Sequence, residues 1–395
     1  MFIIPFVIIA STFEVLIQAA PAPVPGRGGH HRGQGYGRGR GGQNQSVQGY
    51  GQSQWTQSDQ SENNQGNFGS SVVPSFASTC WATGSTGPSC AVFFVQNGQF
   101  QQYSSDSSSM GGWHPTDRFG SQNSGLSSSS PMTAVNTFDK GGSRLSVCYF
   151  REKGQSGQTL SCYTKTGGSG WRSQDVGTSG GSSYGSSQQS VGDVRYMTSV
   201  AWNINGAPSY ALLWSDTKGA IYQVVNSGGT WVYSDVLNAR APGDFHFAAT
   251  ARVNNNVLVM DIYNAQGGHW QSINGQSYTQ SSSFAGGISL NAMAGGSSWD
   301  NTSDRMYSVN ETGHITEHML NGGSWVPGSG SDDRFGTSPT LGGLTTLTAS
   351  IYWGSANYIN VFYMVSLGNG QYEIDSVAAR DRWMPKTTVA TFNVS

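Results

Sequence analysis

Residues 305–317 read RMYSVNETGHITE, with an arginine at one end, a glutamate at the other and turn-forming residues, Asn310–Gly313, between them. Arg305 and Glu317 each lie six residues from Glu311. In an antiparallel hairpin with that centre they stand directly opposite one another on one face, with Cβ atoms about 5 Å apart. An arginine brings a planar fork of donors and a carboxylate brings acceptors, so the pair can hold vicinal hydroxyls, which are both. A nearby indole adds an apolar surface for the C–H face of a ring. The alternative is an ordinary cross-strand ion pair, worth about 0.2–1 kcal/mol.

Other chemistry finds less support. Asp332, Asp333 and Glu373 form no recognisable carboxylate pair of the kind glycoside hydrolysis needs. The stretch SDTKGAIY at 215–222 has the wrong spacing for a sialidase-type box. His314 and His318 stand four apart in strand context, which does not make a metal site. No nucleophile elbow and no phosphate loop is read. The expectation is therefore no catalytic residue, no metal and no cofactor.

The elements that must position Arg305 and Glu317 are strands. From about residue 72, short apolar/polar alternations are separated by Gly, Ser and Asn, and no sustained helical period occurs. Six segments share one plan of strand, turn, strand, and often Gly-Gly and a tryptophan. They begin at Ala91, Leu145, Tyr210, Val257, Asp304 and Ile359. A further strand precedes most of them, as in MTAVNTFD and TTLTASIYW. Three to four strands per repeat, six times over, is the plan of a six-bladed β-propeller of small antiparallel sheets. One such sheet cannot bury its faces alone; stacking neighbours radially buries both and leaves short edges. The commonest role of the repeated tryptophan is to fill the gap between blades.

Composition sets the context. Aromatic residues make up 12% of the 395, too many for a chain that stays unfolded throughout. The formal net charge of −2 predicts no bulk affinity for nucleic acid. Residues 1–20 read as a secretory signal peptide, with an apolar run at Phe2–Ala10 and small residues at Ala19 and Ala20. Residues 21–71 form a Gly/Gln/Ser/Arg-rich segment with almost no aliphatic side chains, expected to be disordered. RNA binding by its arginines and Tyr36 or Trp55 is the sharper reading, and a solvated spacer the preferred one. Residues 72–395 form the propeller. Cys80 with Cys90, and Cys148 with Cys162, are the favoured local disulfides, in keeping with an oxidising compartment. N-glycosylation sequons begin at Asn44, Asn301, Asn310 and Asn393.

The repeated strand, Gly turn, strand and Gly-Gly-x-Trp segment resembles the fungal fucose-specific lectin family over about residues 73–395. The resemblance implies a six-bladed propeller that binds fucose between neighbouring blades. In that family an Arg and a Glu of adjacent strands bind the sugar hydroxyls, and aromatic residues, including the Trp after Gly-Gly, line the pocket. The fifth repeat matches with Arg305, Glu317 and Trp325. The other repeats depart, with Ala91 and Gln102, Ser146 and Cys162, Ala211 and Gln223, Leu258 and Gln271, and Asn360 and Glu373. Together these readings imply a secreted, extracellular or cell-wall-associated fungal glycoprotein. Its expected partners are glycans of the fucose type, and cell-wall polysaccharide or a surface glycoprotein. A propeller that has lost sugar binding and serves as a protein-interaction or cell-wall module is the alternative.

Overall fold

The computed structural model describes residues 74–394 apart from connecting stretches, the longest being 177–193 and 329–343. The expected leader and low-complexity segment, and the sequons at Asn44, Asn301 and Asn310, lie outside the described residues. The described strands form six sheets of four antiparallel strands, each running in sequence order from first to fourth. These are blade 1 (76–119), blade 2 (132–175), blade 3 (194–233), blade 4 (247–280), blade 5 (293–327) and blade 6 (344–393). First strands of successive blades lie side by side around the ring, and that of blade 6 lies against that of blade 1. The six-bladed, all-β architecture read from the repeats is the one observed.

Two features of the sequence make these blades. Alternation gives each strand two buried faces, so residues at even and odd positions enter different cores. In the second strand of blade 1, Phe93 and Val95 pack with Val147 and Tyr149 of blade 2. Val92 and Phe94, on the other face, pack with Phe362, Met364 and Phe392 of blade 6. Leu213 likewise meets Met260 and Ile262 of blade 4, while Leu212 and Trp214 meet Phe150 of blade 2. The second feature is turn chemistry. Asn97–Gly98 and Asn274–Gly275 have positive φ at both residues, the conformation that two-residue hairpin turns require.

Blade 6 ends on its own fourth strand, so the ring closes by packing and not by a shared sheet. Phe94 stacks on Phe392 across that seam with centroids 4.3 Å apart. Both expected disulfides form, Cys80–Cys90 and Cys148–Cys162. Each joins residues directly opposite in adjacent strands, with Cα atoms 4.1 Å apart. That closeness belongs to the non-hydrogen-bonded pairs of an antiparallel ladder, where side chains come nearest.

Candidate functional site

In blade 5 the second strand, Asp304–Val309, pairs with the third, Ile315–Asn321. The register opposes Tyr307 to Glu317 and Arg305 to Met319. Direct opposition of Arg305 and Glu317, expected from a hairpin centred on residue 311, is therefore corrected to a diagonal. The hairpin centre falls one residue later, which moves each partner by two. A shift of two preserves the face, so the two side chains still meet. Arg305 Nη1 donates to Glu317 Oε1 at 2.5 Å, and Tyr307 Oη donates to the same oxygen at 2.9 Å.

Burial sets the character of this cluster. Glu317 is 1% exposed and Tyr307 fully buried, whereas the Arg305 side chain keeps 18% of its surface. Burial, and then the negative charge of Glu317, raise the Tyr307 phenol well above its ordinary value, so it stays a donor. The carboxylate rests against Gly328, directly after the fourth strand, where a Cβ would collide with Glu317 Oε2. Arg305 Nε is buried and has no hydrogen-bond partner among the described residues. One guanidinium thus holds the buried carboxylate with one nitrogen and keeps another donor unspent.

Tyr307 lies in the core shared by blades 5 and 6, so Arg305 and Glu317 face blade 6. Trp325 lies elsewhere. It stands opposite Leu320, on the other face of the sheet from Glu317, and packs edge-to-face on Tyr263 of blade 4 at 5.2 Å. Strand parity is the reason, because the Gly-Gly-x-Trp turn sets each indole toward the preceding blade. The indole brought to the Arg305 side is Trp383 of blade 6, edge-to-face with Tyr307 at 6.2 Å. Tyr307 had a signal in the sequence, standing two residues from Arg305 and so on its face. Trp383 could be found only by knowing which neighbour each tryptophan covers.

The same aromatic pair recurs around the ring, as Phe93 with Trp171 at 5.8 Å and Phe362 with Trp113 at 5.6 Å. These pairs fix the equivalence of positions between blades. The place of Glu317, opposite the ring at Tyr307, is held by Gln102, Cys162, Gln223, His269 and Ser376 in the other blades. The place of Arg305 is held by Ala91, Ser146, Ala211, Asp261 and Asn360. Two sequence assignments are corrected here. In blade 4 the pair is Asp261 and His269, not Leu258 and Gln271. In blade 6 Glu373 opposes Val365 beyond an irregularity at Ser366–Gly368, on the face toward blade 5, where it meets Lys386.

In blade 4 the carboxylate sits on the second strand instead of the third. The buried Asp261 accepts from Gln271 Nε2 at 2.9 Å, pairs with His269 Nε2 at 2.8 Å and forms an ion pair with Arg252 at 2.8 Å. Both hydrogen bonds go to Oδ1, and Arg252 faces Oδ2 as its ion-pair partner. In blade 2 Cys162, at the place of Glu317, is bonded in a disulfide to Cys148, at the place of Tyr307. In blade 6 Asn360 Nδ2 points at Cys90 Sγ, and Ser376 Oγ accepts from Trp113 Nε1 at 3.2 Å. His318 sits on the face of blade 5 turned away from Glu317, near Ser308 and Thr316. Burial lowers its pKa. His314 lies outside the described residues.

A closed ring of six four-stranded blades, with polar residues placed on the inter-blade faces, defines a six-bladed β-propeller. No protein-family model and no curated protein matches the chain. Solved structures share its fold. A variant of the Aleuria aurantia lectin in complex with α-methyl-L-fucoside aligns with a TM-score of 0.60 at 20% identity, over 82% of this chain and 96% of that one. AofleA from Arthrobotrys oligospora aligns with a TM-score of 0.57 at 13% identity, over 82% and 88%. The SapL1 lectin in complex with α-methyl fucoside aligns with a TM-score of 0.52 at 16% identity, over 80% and 95%. The chain thus has the fold of fungal fucose-specific lectins.

Proposed function

We propose that this protein is a secreted, non-catalytic carbohydrate-binding propeller that takes fucosylated or related glycans between blades 5 and 6. The observation that carries the reading is the unspent, buried Arg305 Nε donor beside the Arg305–Glu317 pair. A buried donor left without an acceptor costs about 1–3 kcal/mol, and a sugar hydroxyl oxygen would satisfy it. Trp383, half-buried on the same side, supplies the apolar surface on which a pyranose C–H face can lie. The carboxylate of Glu317 orients the guanidinium from below and Tyr307 holds the carboxylate. Ligand chemistry in the neighbouring structures, two of which were solved with a fucoside, supports the choice of sugar.

The test is a glycan array probed with the purified protein. Binding to fucosylated glycans, lost in Arg305→Ala and reduced in Trp383→Ala, supports the proposal. An array without hits from folded protein overturns it. The reading of a propeller without sugar binding draws on one observation, that five of six equivalent positions lack the Arg–Glu pair, and it predicts that empty array.

A further inference from the structure

The joint between blades 2 and 3 gathers hydrogen-bond donors. On blade 3, Tyr210, Asn226 and Trp231 stand opposite one another across the second, third and fourth strands, and so share one face. That face meets blade 2, where Tyr210 and Trp231 pack in one core with Cys148 and Phe150. On the second strand of blade 2, Arg144 and Ser146 lie on the same face as Cys148 and Phe150. Ser146 is the counterpart of Ala211, so Arg144 and Ser146 stand level with Tyr210 across the joint. In keeping with that placement, burial raises the Tyr210 phenol above its ordinary value, and Ser146 and Arg144 act on it in the opposite direction.

Three groups of this joint that can only donate are buried without a partner among the described residues: Arg144 Nε, Asn226 Nδ2 and Trp231 Nε1. Asn226 is 3% exposed, and its Oδ1 already accepts from the Gly229 amide at 3.2 Å, which leaves Nδ2 as the unspent end. No ion pair to Arg144 occurs among the described residues. Buried donors are as a rule paired, so three in one joint mark a place for acceptor oxygens from outside the chain. A guanidinium with two neutral N–H groups and no acceptor among them suits an anion better than a neutral hydroxyl. Beside them Ser146 Oγ and Thr164 Oγ1, 3.2 Å apart, are hydroxyls that both donate and accept. The rings of Tyr210 and Trp231, edge-to-face with centroids 5.4 Å apart, supply apolar wall.

We propose that the joint of blades 2 and 3 is a second binding site, which takes a sugar acid of the hexuronate type. Its carboxylate accepts from Arg144 Nε, Asn226 Nδ2 and Trp231 Nε1, and its ring hydroxyls meet Ser146 and Thr164. The site differs from the blade 5–6 pocket in both residues and ligand charge. There Arg305 is tied to Glu317, whose own negative charge repels a carboxylate. Here Cys162 stands at the place of Glu317, and the guanidinium charge is left for the ligand.

The probe is D-galacturonate, titrated into the full chain by isothermal titration calorimetry. D-galactose serves as the same ring without the carboxylate, and acetate as the carboxylate without the ring. Galacturonate should saturate one site per chain and bind about tenfold more tightly than either control. Arg144→Met, which keeps the stem and removes the donors, should weaken it about tenfold, and Trp231→Phe, which keeps a ring and removes the N–H, about threefold. Excess L-fucose should leave the titration unchanged, so this site is read separately from the fucosylated array. Absence of saturable binding by folded protein overturns the proposal, as does galactose or acetate binding as tightly as galacturonate, or displacement by fucose. So does binding that survives both Arg144→Met and Trp231→Phe in variants with native circular dichroism.

Discussion

Arg305→Met separates a buried, cooperative pair from a surface ion pair. An exposed cross-strand pair contributes about 0.2–1 kcal/mol. Here Glu317 is 1% exposed, and its Oε1 accepts from Arg305 and Tyr307 together. Removing the cation leaves a buried carboxylate that keeps the Tyr307 phenol as a donor. Breaking a buried pair from one side costs about 3–5 kcal/mol. The retained Tyr307 bond and the 18% exposure of Arg305 place this case at the low end, about 3 kcal/mol. At a urea m-value of about 3 kcal/mol/M that lowers the unfolding midpoint by about 1 M. The double variant Arg305→Met, Glu317→Leu removes both charges and should recover most of the loss, since a hydrophobic pair of similar volume is often neutral or better. Urea unfolding followed by tryptophan fluorescence measures Arg305→Met, Glu317→Leu alone and the double variant. A loss below about 1 kcal/mol for Arg305→Met, or a double variant that costs the sum of the singles, refutes the argument.

Gly328→Ala should reproduce much of that loss without touching a charge, because the new Cβ occupies the space of the Glu317 carboxylate; sugar binding and stability should fall together, read by glycan array and urea unfolding. Reduction of either disulfide should cost about 3 kcal/mol, the loop-entropy estimate for cross-links spanning 10 and 14 residues; reducing the protein before urea titration checks it. Burial raises the phenols of Tyr149, Tyr278, Tyr307 and Tyr363, and pushes Tyr233 up to about 12. Above pH 10 the unfolded chain therefore binds fewer protons than the folded one, so this stability is intact below pH 10 and is lost as pH rises further. Absorbance at 295 nm during alkaline titration should show these tyrosines ionising only as the protein unfolds.

The blades were legible because each imposes alternation and a turn on a short stretch. Phe93 and Phe94 each had to enter a different core, and Asn97–Gly98 could close only a tight hairpin. The disulfides were legible because a spacing of ten or fourteen residues across one turn places the cysteines on facing strands. What failed was register. Counting outward from Glu311 put Arg305 opposite Glu317, whereas one residue of difference in the hairpin centre makes them diagonal neighbours. In blade 6 the irregularity at Ser366–Gly368 carries Glu373 to the face toward blade 5. No local pattern announces such a change, because Ser, Leu and Gly satisfy a strand as well as a bulge. The destination of Trp325 was hidden for a different reason. Which neighbour an indole covers depends on the stacking of whole blades, and the partner of Trp325, Tyr263, lies 62 positions earlier in the chain.

The repeated edge-to-face pair explains how one ring can hold unlike chemistries at equivalent places. In Phe93–Trp171, Phe362–Trp113, Tyr263–Trp325 and Tyr307–Trp383, the ring of one blade and the indole of the next supply the packing that joins them. Such pairs contribute about 0.5–1.5 kcal/mol beyond the area they bury. Once the joint rests on them, the residues beside them are released from the task of holding the ring together. One position has become part of a disulfide, one a carboxylate facing Arg252, His269 and Gln271, and one the uncharged side chain of Gln223. Among the described residues, blade 5 pairs a largely buried guanidinium with a buried glutamate. Between blades 3 and 4 Leu213 and Tyr278 stand in place of the pair, and between blades 2 and 3 Cys148 stands in place of the ring, so two of the six joints hold without it.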